Sequence, residues 1–229
     1  MARREKQAKQ TFRHLITRNN PRSPISEQYR TIRTNLQFSA VDGDLRTMLV
    51  TSSGPAEGKS STVANLAVVF AQQEKRVLLI DADLRKPTVH YTFHADNRRG
   101  LSSVLVGDYP LLEAVSKTEE PTLHVLPSGP IPPNPSELLG SKAMIKLIEE
   151  AKEFYDLIIF DTPPVLAVTD AQILANIVDG SLLVVRNKVT DKEAALKAKE
   201  LLLPAKSKLL GAVLNDKEMP KGHYYYYGD

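Results

Sequence analysis

The chain has 229 residues, of which 42% are hydrophobic, so it is long enough for one sizeable domain with a core of its own. It contains no cysteine, which excludes disulfides and thiolate metal sites. The net charge of +3 is unevenly spread, because residues 1–33 hold nine Lys or Arg and two Glu while the remainder is mildly acidic.

Two absences bear on the expected location. The chain has no apolar run near the ~20 residues that a membrane-spanning helix needs, and the stretch after Met1 lacks the apolar segment of a secretory signal. We therefore expect a cytoplasmic protein. Its basic amino end has two interpretations: an arm that lies near anionic lipid or nucleic acid, or a solvated tail without a ligand.

The amino-terminal part predicts a basic arm, 1–22, followed by a helix. Ser23 and Pro24 suit the N-cap and the first turn of a helix. Apolar residues then recur at helical spacing, at Ile25, Tyr29, Ile32 and Leu36. This spacing predicts an amphipathic helix that ends near residue 38.

From residue 48 onward, apolar runs typical of strands alternate with helical patterns, although 84–120 is less regular. The predicted strands are 48–51, 77–80, 123–126, 157–160, 181–185 and 209–214. The predicted helices are 60–73, 101–106, 111–115, 136–152, 170–177 and a last one from Thr190 or Asp191 to about 203. Because the strands are continuous apolar runs, the pattern predicts an α/β fold, a parallel sheet with helices on both faces.

A phosphate-binding loop is predicted between the first strand and the next helix. The segment Ser53-Gly-Pro-Ala-Glu-Gly58-Lys59-Ser60 resembles the Walker A loop, G-x-x-x-x-G-K-S/T, with serine at the first position. Gly58 lets the backbone approach a ligand, Lys59 can bridge the β- and γ-phosphates, and Ser60 can offer a hydroxyl to Mg²⁺. The predicted nucleotide-binding residues are Gly54, Pro55, Ala56, Glu57, Gly58, Lys59, Ser60 and Ser61.

Two further predicted strands end in aspartates. Asp81 and Asp83 follow the strand 77–80, and Asp161 closes the strand 157–160 in the manner of a Walker B segment. Acids at the carboxyl ends of neighbouring parallel strands face the same crevice, where phosphoryl transfer needs a bound cation and a group that positions the nucleophile. The alternative is that these are turn-forming aspartates.

Together these motifs resemble those of the bacterial tyrosine kinases, or BY-kinases, which are P-loop kinases of capsule and exopolysaccharide systems. The resemblance runs from about Ser26 to the carboxyl end, and five features together make it specific. They are the P-loop, the Walker A′ element Asp81-Ala-Asp83-Leu-Arg85, the Walker B segment Asp161-Thr-Pro-Pro164, the helix pattern Glu27-x-x-Arg30-x-x-Arg33 and the carboxyl-terminal tyrosine cluster.

The resemblance implies a P-loop kinase domain at 23–217 that uses ATP and Mg²⁺ to phosphorylate tyrosine. Its implied catalytic residues are Lys59, which holds the phosphates, Asp81, the candidate base, and Asp83. The implied Mg²⁺ residues are Ser60, Asp83 and Asp161. Arg85 has two interpretations, a contact to phosphate or tail and a structural ion pair.

The prediction of a residue that contacts the nucleotide base depends on a weaker resemblance. In related ATPases an asparagine after the last strand contacts adenine, and Asn215 has the comparable place here. The alternative is a turn asparagine. The preference for ATP over GTP is an inference from the family.

The tail 218–229 carries four consecutive tyrosines between glycines. The resemblance implies that they are an autophosphorylation cluster that enters the active site of a neighbouring subunit, and the alternative is a sticky terminal strand. The cluster comprises Tyr224, Tyr225, Tyr226 and Tyr227. Because each phosphate adds about −1.5 to −2 charges, several of them would repel one another and loosen an assembly.

The remaining expectations concern partners. Glu27, Arg30 and Arg33 are implied to contact the next subunit of a ring, and the alternative is an intrahelical salt-bridge ladder worth ~0.2–0.5 kcal/mol per pair. The resemblance also implies a membrane-spanning activator that recruits the chain to the inner face of the cell membrane. It further implies other protein substrates with tyrosine and an opposing tyrosine phosphatase. We expect no nucleic-acid partner.

Two other functions compete with the kinase. A partition- or division-site ATPase of the same superfamily uses ATP as a dimerisation switch, but it carries a second lysine early in the P-loop, where this chain has Gly54. Such ATPases also lack a tyrosine tail. The other competitor is a nucleotide-gated subunit that regulates polysaccharide chain length through assembly alone.

Overall fold

The computed structural model describes residues 15–39 and 45–218. Its strands are β1 (Thr47–Ser52), β2 (Val77–Asp81), β3 (Ser116–Lys117), β4 (Leu123–Leu126), β5 (Leu157–Asp161), β6 (Gly180–Arg186) and β7 (Lys208–Asn215). They form one seven-stranded sheet in the order β3-β4-β2-β5-β1-β6-β7. All neighbouring strands run parallel except the short edge strand β3, which is antiparallel to β4.

Helices cover the sheet. They are α1 (Ile16–Asn19), α2 (Pro24–Ser39), α3 (Lys59–Ala71), α4 (Val89–Phe93), α5 (Leu101–Leu105), α6 (Leu111–Ala114), α7 (Pro135–Leu139), α8 (Lys142–Phe154), α9 (Asp170–Ala175) and α10 (Lys192–Leu202). Every helix in the described ranges is too short or too polar to cross a bilayer.

The core lies on both faces of the sheet. Side chains alternate along a strand, so Leu49 of β1 joins one buried cluster while its neighbours Met48 and Val50 join the other. The first cluster includes α8, α9 and α10, and the second includes α2 and α3. The predicted parallel sheet with helices on both faces is thereby confirmed.

The order of the strands brings the loops that follow β1, β2 and β5 together at the carboxyl edge of the sheet. β5 lies between β1 and β2 and is parallel to both, and Asp81 is the register partner of Asp161. The loop before α3 leaves the same edge after β1, because parallel strands end on the same side. The predicted phosphate loop and the predicted acidic strand ends are therefore neighbours in space.

The predicted single helix 136–152 is wrong, because the structure has two helices there. Gly140 separates α7 from α8, and the hydroxyl of Ser141 caps α8 by accepting from the Met144 N–H at 3.3 Å. Glycine has low helix propensity and serine is a strong N-cap, so the chain starts a new helix in a new direction. The hydroxyl of Ser136, the cap expected from the sequence, instead donates to Asp170.

The predicted boundary at residue 22 also needs correction, since residues 15–22 belong to the folded body. Leu15 is 4% exposed, and the Thr17 hydroxyl donates to Asn65 Oδ1 at 2.9 Å. The predicted cap of α2 is confirmed, because Ser23 Oγ accepts from the Ser26 N–H at 3.1 Å. The rest of the predicted arm, 1–14, lies outside the described residues.

Candidate functional site: a phosphate loop beside three buried aspartates

The loop between β1 and α3 is shaped by its contacts with β7. Gly58 precedes α3 with φ +87°, and a Cβ there would lie 1.9 Å from the side-chain nitrogen of Asn215. That nitrogen, Nδ2, donates to the carbonyl of Glu57 at 3.0 Å. Only glycine allows this backbone and this close approach, so the glycine of the Walker A pattern is required on steric grounds.

A cavity of about 390 Å³ lies against this loop. Its wall includes all eight residues predicted from the Walker A pattern, Gly54 to Ser61. It also includes Ser52, Asp83, Lys86, Thr88 and Pro164. Asn215 is absent from the wall, and its amide bonds the loop backbone from the side of β7.

Lys59 connects the loop to the acids. Its side chain is buried, and the ammonium donates to Asp161 Oδ1. The same Nζ lies 3.2 Å from Ser60 Oγ and 3.9 Å from Asp83 Oδ2. The structure therefore brings together the lysine, the hydroxyl and two of the carboxylates that the sequence singled out.

Asp81 is the least accessible of the three acids. It is 0% exposed, and Oδ2 accepts from the N–H groups of Thr88 at 2.8 Å and Val89 at 2.9 Å. Burial, and then the charge of Asp161, raise the pKa of Asp81 to about 7, while the backbone donors oppose that rise. Asp83 lies on the cavity wall and Asp81 does not.

The donor set fits Mg²⁺ bound together with a nucleotide. Asp161 Oδ2 is buried and accepts no hydrogen bond from the part of the chain that the structure describes, and Asp83 and Ser60 offer further oxygens on the cavity wall. In residues 15–39 and 45–218 no three His, Asp or Glu side chains form a preformed metal cage. Mg²⁺ suits such a site, because it usually binds through one or two carboxylates, waters and substrate phosphates.

Other predicted residues make contacts within the chain. Arg85 pairs with Asp170, as the structural interpretation expected. Arg30 pairs with Glu27, as in the salt-bridge ladder, whereas Arg33 donates to the Val69 carbonyl of α3 at 2.7 Å. The four tail tyrosines lie outside the described residues.

Comparisons with known proteins agree with this geometry. A family model described as an AAA domain matches residues 46–202. The chain is 56% identical over 229 residues to the tyrosine-protein kinase YwqD of Bacillus subtilis strain 168, a match that covers 100% of this chain and 97% of that one. It is 42% identical over 223 residues to the putative tyrosine-protein kinase CapB of Staphylococcus aureus, covering 96% and 98%.

The chain belongs to the bacterial tyrosine-protein kinase family. The solved kinase domain of the Escherichia coli tyrosine kinase ETK has the same fold, with a TM-score of 0.86 at 35% identity over 94% of this chain and 85% of that one. The resemblance inferred from the motifs is confirmed. Because the 56% identity to a tyrosine-protein kinase extends over the whole chain, the family is that of the tyrosine kinases and not that of the partition-type ATPases.

Two contacts of this kinase's phosphate loop were missed in the sequence. Glu57 Oε2 accepts from the Ser53 N–H at 3.0 Å and closes the loop on itself. Arg186, at the end of β6, donates to the Ala56 carbonyl at 3.2 Å and pairs with Asp216. No local pattern marks Arg186, because its partners lie far away in the sequence.

Proposed function

We propose that this kinase binds Mg-ATP against its phosphate loop and transfers the γ-phosphate to the tyrosines 224–227 of a neighbouring subunit. We further propose that it phosphorylates other proteins of a capsule or exopolysaccharide system. The observation that carries the proposal is the convergence of Ser60, Asp83 and Asp161 on the Lys59 ammonium at the end of the phosphate loop. This is the arrangement of cationic and oxygen groups that phosphoryl transfer requires.

Nucleotide binding uses the loop and the start of α3. The free N–H groups at this helix start favour an anion, and Lys59 adds a charge-assisted donor for the β- and γ-phosphates. Ser60, Asp83 and Asp161 are the proposed Mg²⁺ residues, and an ion held by them would neutralise charge on the phosphate oxygens. Asn215 is the proposed adenine contact, and its bond to the Glu57 carbonyl would tie that contact to the shape of the loop.

In the transfer step the tyrosine Oη bonds to the γ-phosphorus, the bond from phosphorus to the β–γ bridging oxygen breaks, and ADP leaves with that oxygen. The phenol has a pKa near ~10, so its proton needs an acceptor. Asp81 is the proposed acceptor, and the tyrosine reaches it only if the contacts of its carboxylate with the backbone loosen. Asp83 is a second candidate, because it already lies on the cavity wall.

The two candidates are separable by kinetics. Asp81→Asn is expected to lower kcat at every Mg²⁺ concentration, because a missing base is not replaced by metal. Asp83→Asn is expected to raise the Mg²⁺ concentration required and to recover at high Mg²⁺. The opposite pattern would assign the base to Asp83.

Assembly and location complete the proposal. The pair of Glu27 and Arg30 lies on α2, where the Glu27 side chain is 67% exposed and available to a neighbouring subunit. We place the kinase in a ring, at the inner face of the membrane, with a membrane-spanning activator and an opposing phosphatase. Arg33 already donates to the Val69 carbonyl of its own α3, so a contact with the neighbouring subunit would come in addition to that bond.

One assay tests the function. Protein and activator are incubated with γ-labelled ATP and Mg²⁺, and the label is expected on tyrosine. It should be lost in Lys59→Met and when the four tail tyrosines are replaced by Phe, and kept in Lys197→Met, which removes an exposed lysine of α10. Free phosphate without labelled protein would indicate an ATPase switch. Nucleotide binding with neither product would indicate a nucleotide-gated subunit.

A further inference from the structure

Electrostatic repulsion acts between the carboxyl ends of β2 and β5, because each of these strands ends in a buried aspartate. Asp81 and Asp161 are register partners at the ends of β2 and β5, and both are fully buried. Two carboxylates buried on neighbouring strands repel each other when both are ionised, because little water screens them. Lys59 offsets part of this repulsion while it faces the acids, but the same lysine is needed on the phosphates. A contact outside the cavity that holds the ends of β2 and β5 together would therefore stabilise the site.

Such a restraint is present between the two segments. Arg85 lies in the loop after β2, and Asp170 starts α9, which follows the loop after β5. The Arg85 guanidinium is bidentate on Asp170, with Nε donating to Oδ2 at 3.0 Å and one terminal nitrogen to Oδ1 at 3.2 Å. Ser136 joins them, accepting from Arg85 at 2.9 Å and donating to Asp170 Oδ1 at 2.6 Å.

The burial of Asp170 makes the restraint stiff. The Asp170 side chain is 0% exposed, so its carboxylate is held by protein groups and not by bulk water. A buried carboxylate that loses its guanidinium is left uncompensated, which is costly, so the pair stays closed. The geometry is bidentate and fixes the direction of the arginine as well as its distance.

Arg85 is connected to Asp83 through a short stretch of backbone. Asp83 and Arg85 lie in the same turn, and Asp83 Oδ1 accepts from the Lys86 N–H at 3.0 Å. A shift of Arg85 therefore moves the backbone that orients the Asp83 carboxylate. At the other end, the loop 162–169 connects Asp161, the last residue of β5, to Asp170, the first residue of α9.

We propose that Asp170, together with Ser136, is a positioning residue that holds Arg85 and thereby keeps Asp83 at the distance from Asp161 at which both can share one Mg²⁺. This inference rests on the proposed binding of Mg-nucleotide. It assigns a role to two residues outside the kinase motifs.

The chain offers a matched control at the opposite end of the same two strands. Arg76 precedes β2 and Asp156 precedes β5, and their side chains form an ion pair at 2.7 Å. This second pair joins the same strands away from the cavity. Asp156→Asn therefore removes an Arg–Asp pair between β2 and β5 without touching the site acids.

The test measures binding of a fluorescent ADP analogue with and without Mg²⁺, as a titration of the metal. For Asp170→Asn we expect the apparent Mg²⁺ affinity to fall by about tenfold, the scale seen when outer partners of metal ligands are removed. Metal-free binding of the analogue should stay unchanged, because Lys59 and the loop remain. Asp156→Asn should titrate like the wild type. Equal Mg²⁺ affinities for Asp170→Asn and wild type, or an equal loss in Asp156→Asn, would overturn the positioning role.

Folding is checked by circular dichroism. If Asp170→Asn does not fold, the double variant Arg85→Gln/Asp170→Asn replaces it, because this variant leaves no unpaired buried charge. We expect it to show the same tenfold fall in apparent Mg²⁺ affinity. A wild-type protein whose nucleotide binding ignores Mg²⁺ would overturn the proposed function, and this inference with it. A normal wild-type titration with an unaffected double variant would overturn the inference alone.

Discussion

Gly58 shows how one residue ties the phosphate loop to the last strand. Its φ of +87° lies in the left-handed region, and a Cβ would clash with the amide of Asn215. The conformation and the contact are separate constraints. Their effects can therefore be measured separately.

We expect Gly58→Ala to lower the free energy of unfolding by about 1–3 kcal/mol from backbone strain and to abolish binding of fluorescent ADP, because the clash displaces the loop. Gly107 is the control, since it has the same φ of +87° and a Cβ added there would have no atom of the described residues within 4 Å. Gly107→Ala should share the loss of stability and keep nucleotide binding. Wild-type binding by Gly58→Ala would contradict the steric account.

Asp156 supplies a prediction about pH. Hydrogen bonds from Arg76 lower the pKa of Asp156 to about 2. Because the folded-state pKa is depressed, the stabilisation is present above the unfolded pKa, near 4, and is lost as pH falls toward 2. The Asp156 side chain is 39% exposed, so solvent screening limits the effect to about 1 kcal/mol.

The measurement is urea unfolding of wild type and Asp156→Asn between pH 6 and pH 2. The wild type should be more stable by about 1 kcal/mol at pH 6, and the difference should shrink steadily as the pH falls from 4 to 2. A difference that stays constant over this range would show that the ion pair is not its source.

At the level of elements, the break between α7 and α8 places Ser136 where it can meet Asp170. A continuous helix would not have the turn at Gly140. The start of α8 depends on Ser141, whose hydroxyl accepts from the Met144 N–H. The cap is therefore part of what lets α7 pack against α9, where Ser136 bonds Asp170.

Ser141→Ala is expected to lower the free energy of unfolding by about 1 kcal/mol, since it removes the N-cap acceptor. Ser141→Asp keeps an acceptor and adds a charge that the helix start favours, so it should restore the stability. Thermal and urea unfolding measure both. A loss in the aspartate variant equal to that in the alanine variant would rule out capping as the cause.

For the whole molecule, the proposed transfer between subunits makes a prediction about mixtures. One variant carries Lys59→Met with an intact tail, and the other keeps Lys59 but has Phe at the four tail positions. Neither should label itself. When they are mixed with activator, γ-labelled ATP and Mg²⁺, the label is expected on the Lys59→Met chain. A mixture without label, under conditions in which the wild type is labelled, would contradict transfer in trans.

Assembly makes a second prediction at this scale. Glu27→Ala removes an exposed partner of Arg30, so it should leave the stability of the monomer unchanged within about 0.5 kcal/mol while it weakens the proposed ring. Arg33→Ala should instead destabilise the monomer, because the guanidinium bonds the end of α3. Analytical ultracentrifugation and urea unfolding separate the two effects. An unchanged assembly in Glu27→Ala would remove α2 from the interface.

Local information in the sequence was sufficient for much of the fold and the site. Most strands and long helices are recognisable from apolar runs, helical spacing and caps such as Ser23, all of which act within a few residues. The phosphate loop is equally local, because Gly58, Lys59 and Ser60 work through one turn of backbone. The aspartates at strand ends could be placed together because parallel strands end at the same edge.

The tertiary structure alone decided which distant residues meet. Asp170 as the partner of Arg85, the Val69 carbonyl as the partner of Arg33 and the Ala56 carbonyl as the partner of Arg186 have no local signal. The folding of Leu15 against the body and the full burial of Asp81 are of the same kind. Periodicity and turn chemistry act over a few residues, whereas packing and ion pairing depend on distances that exist only once the sheet has formed.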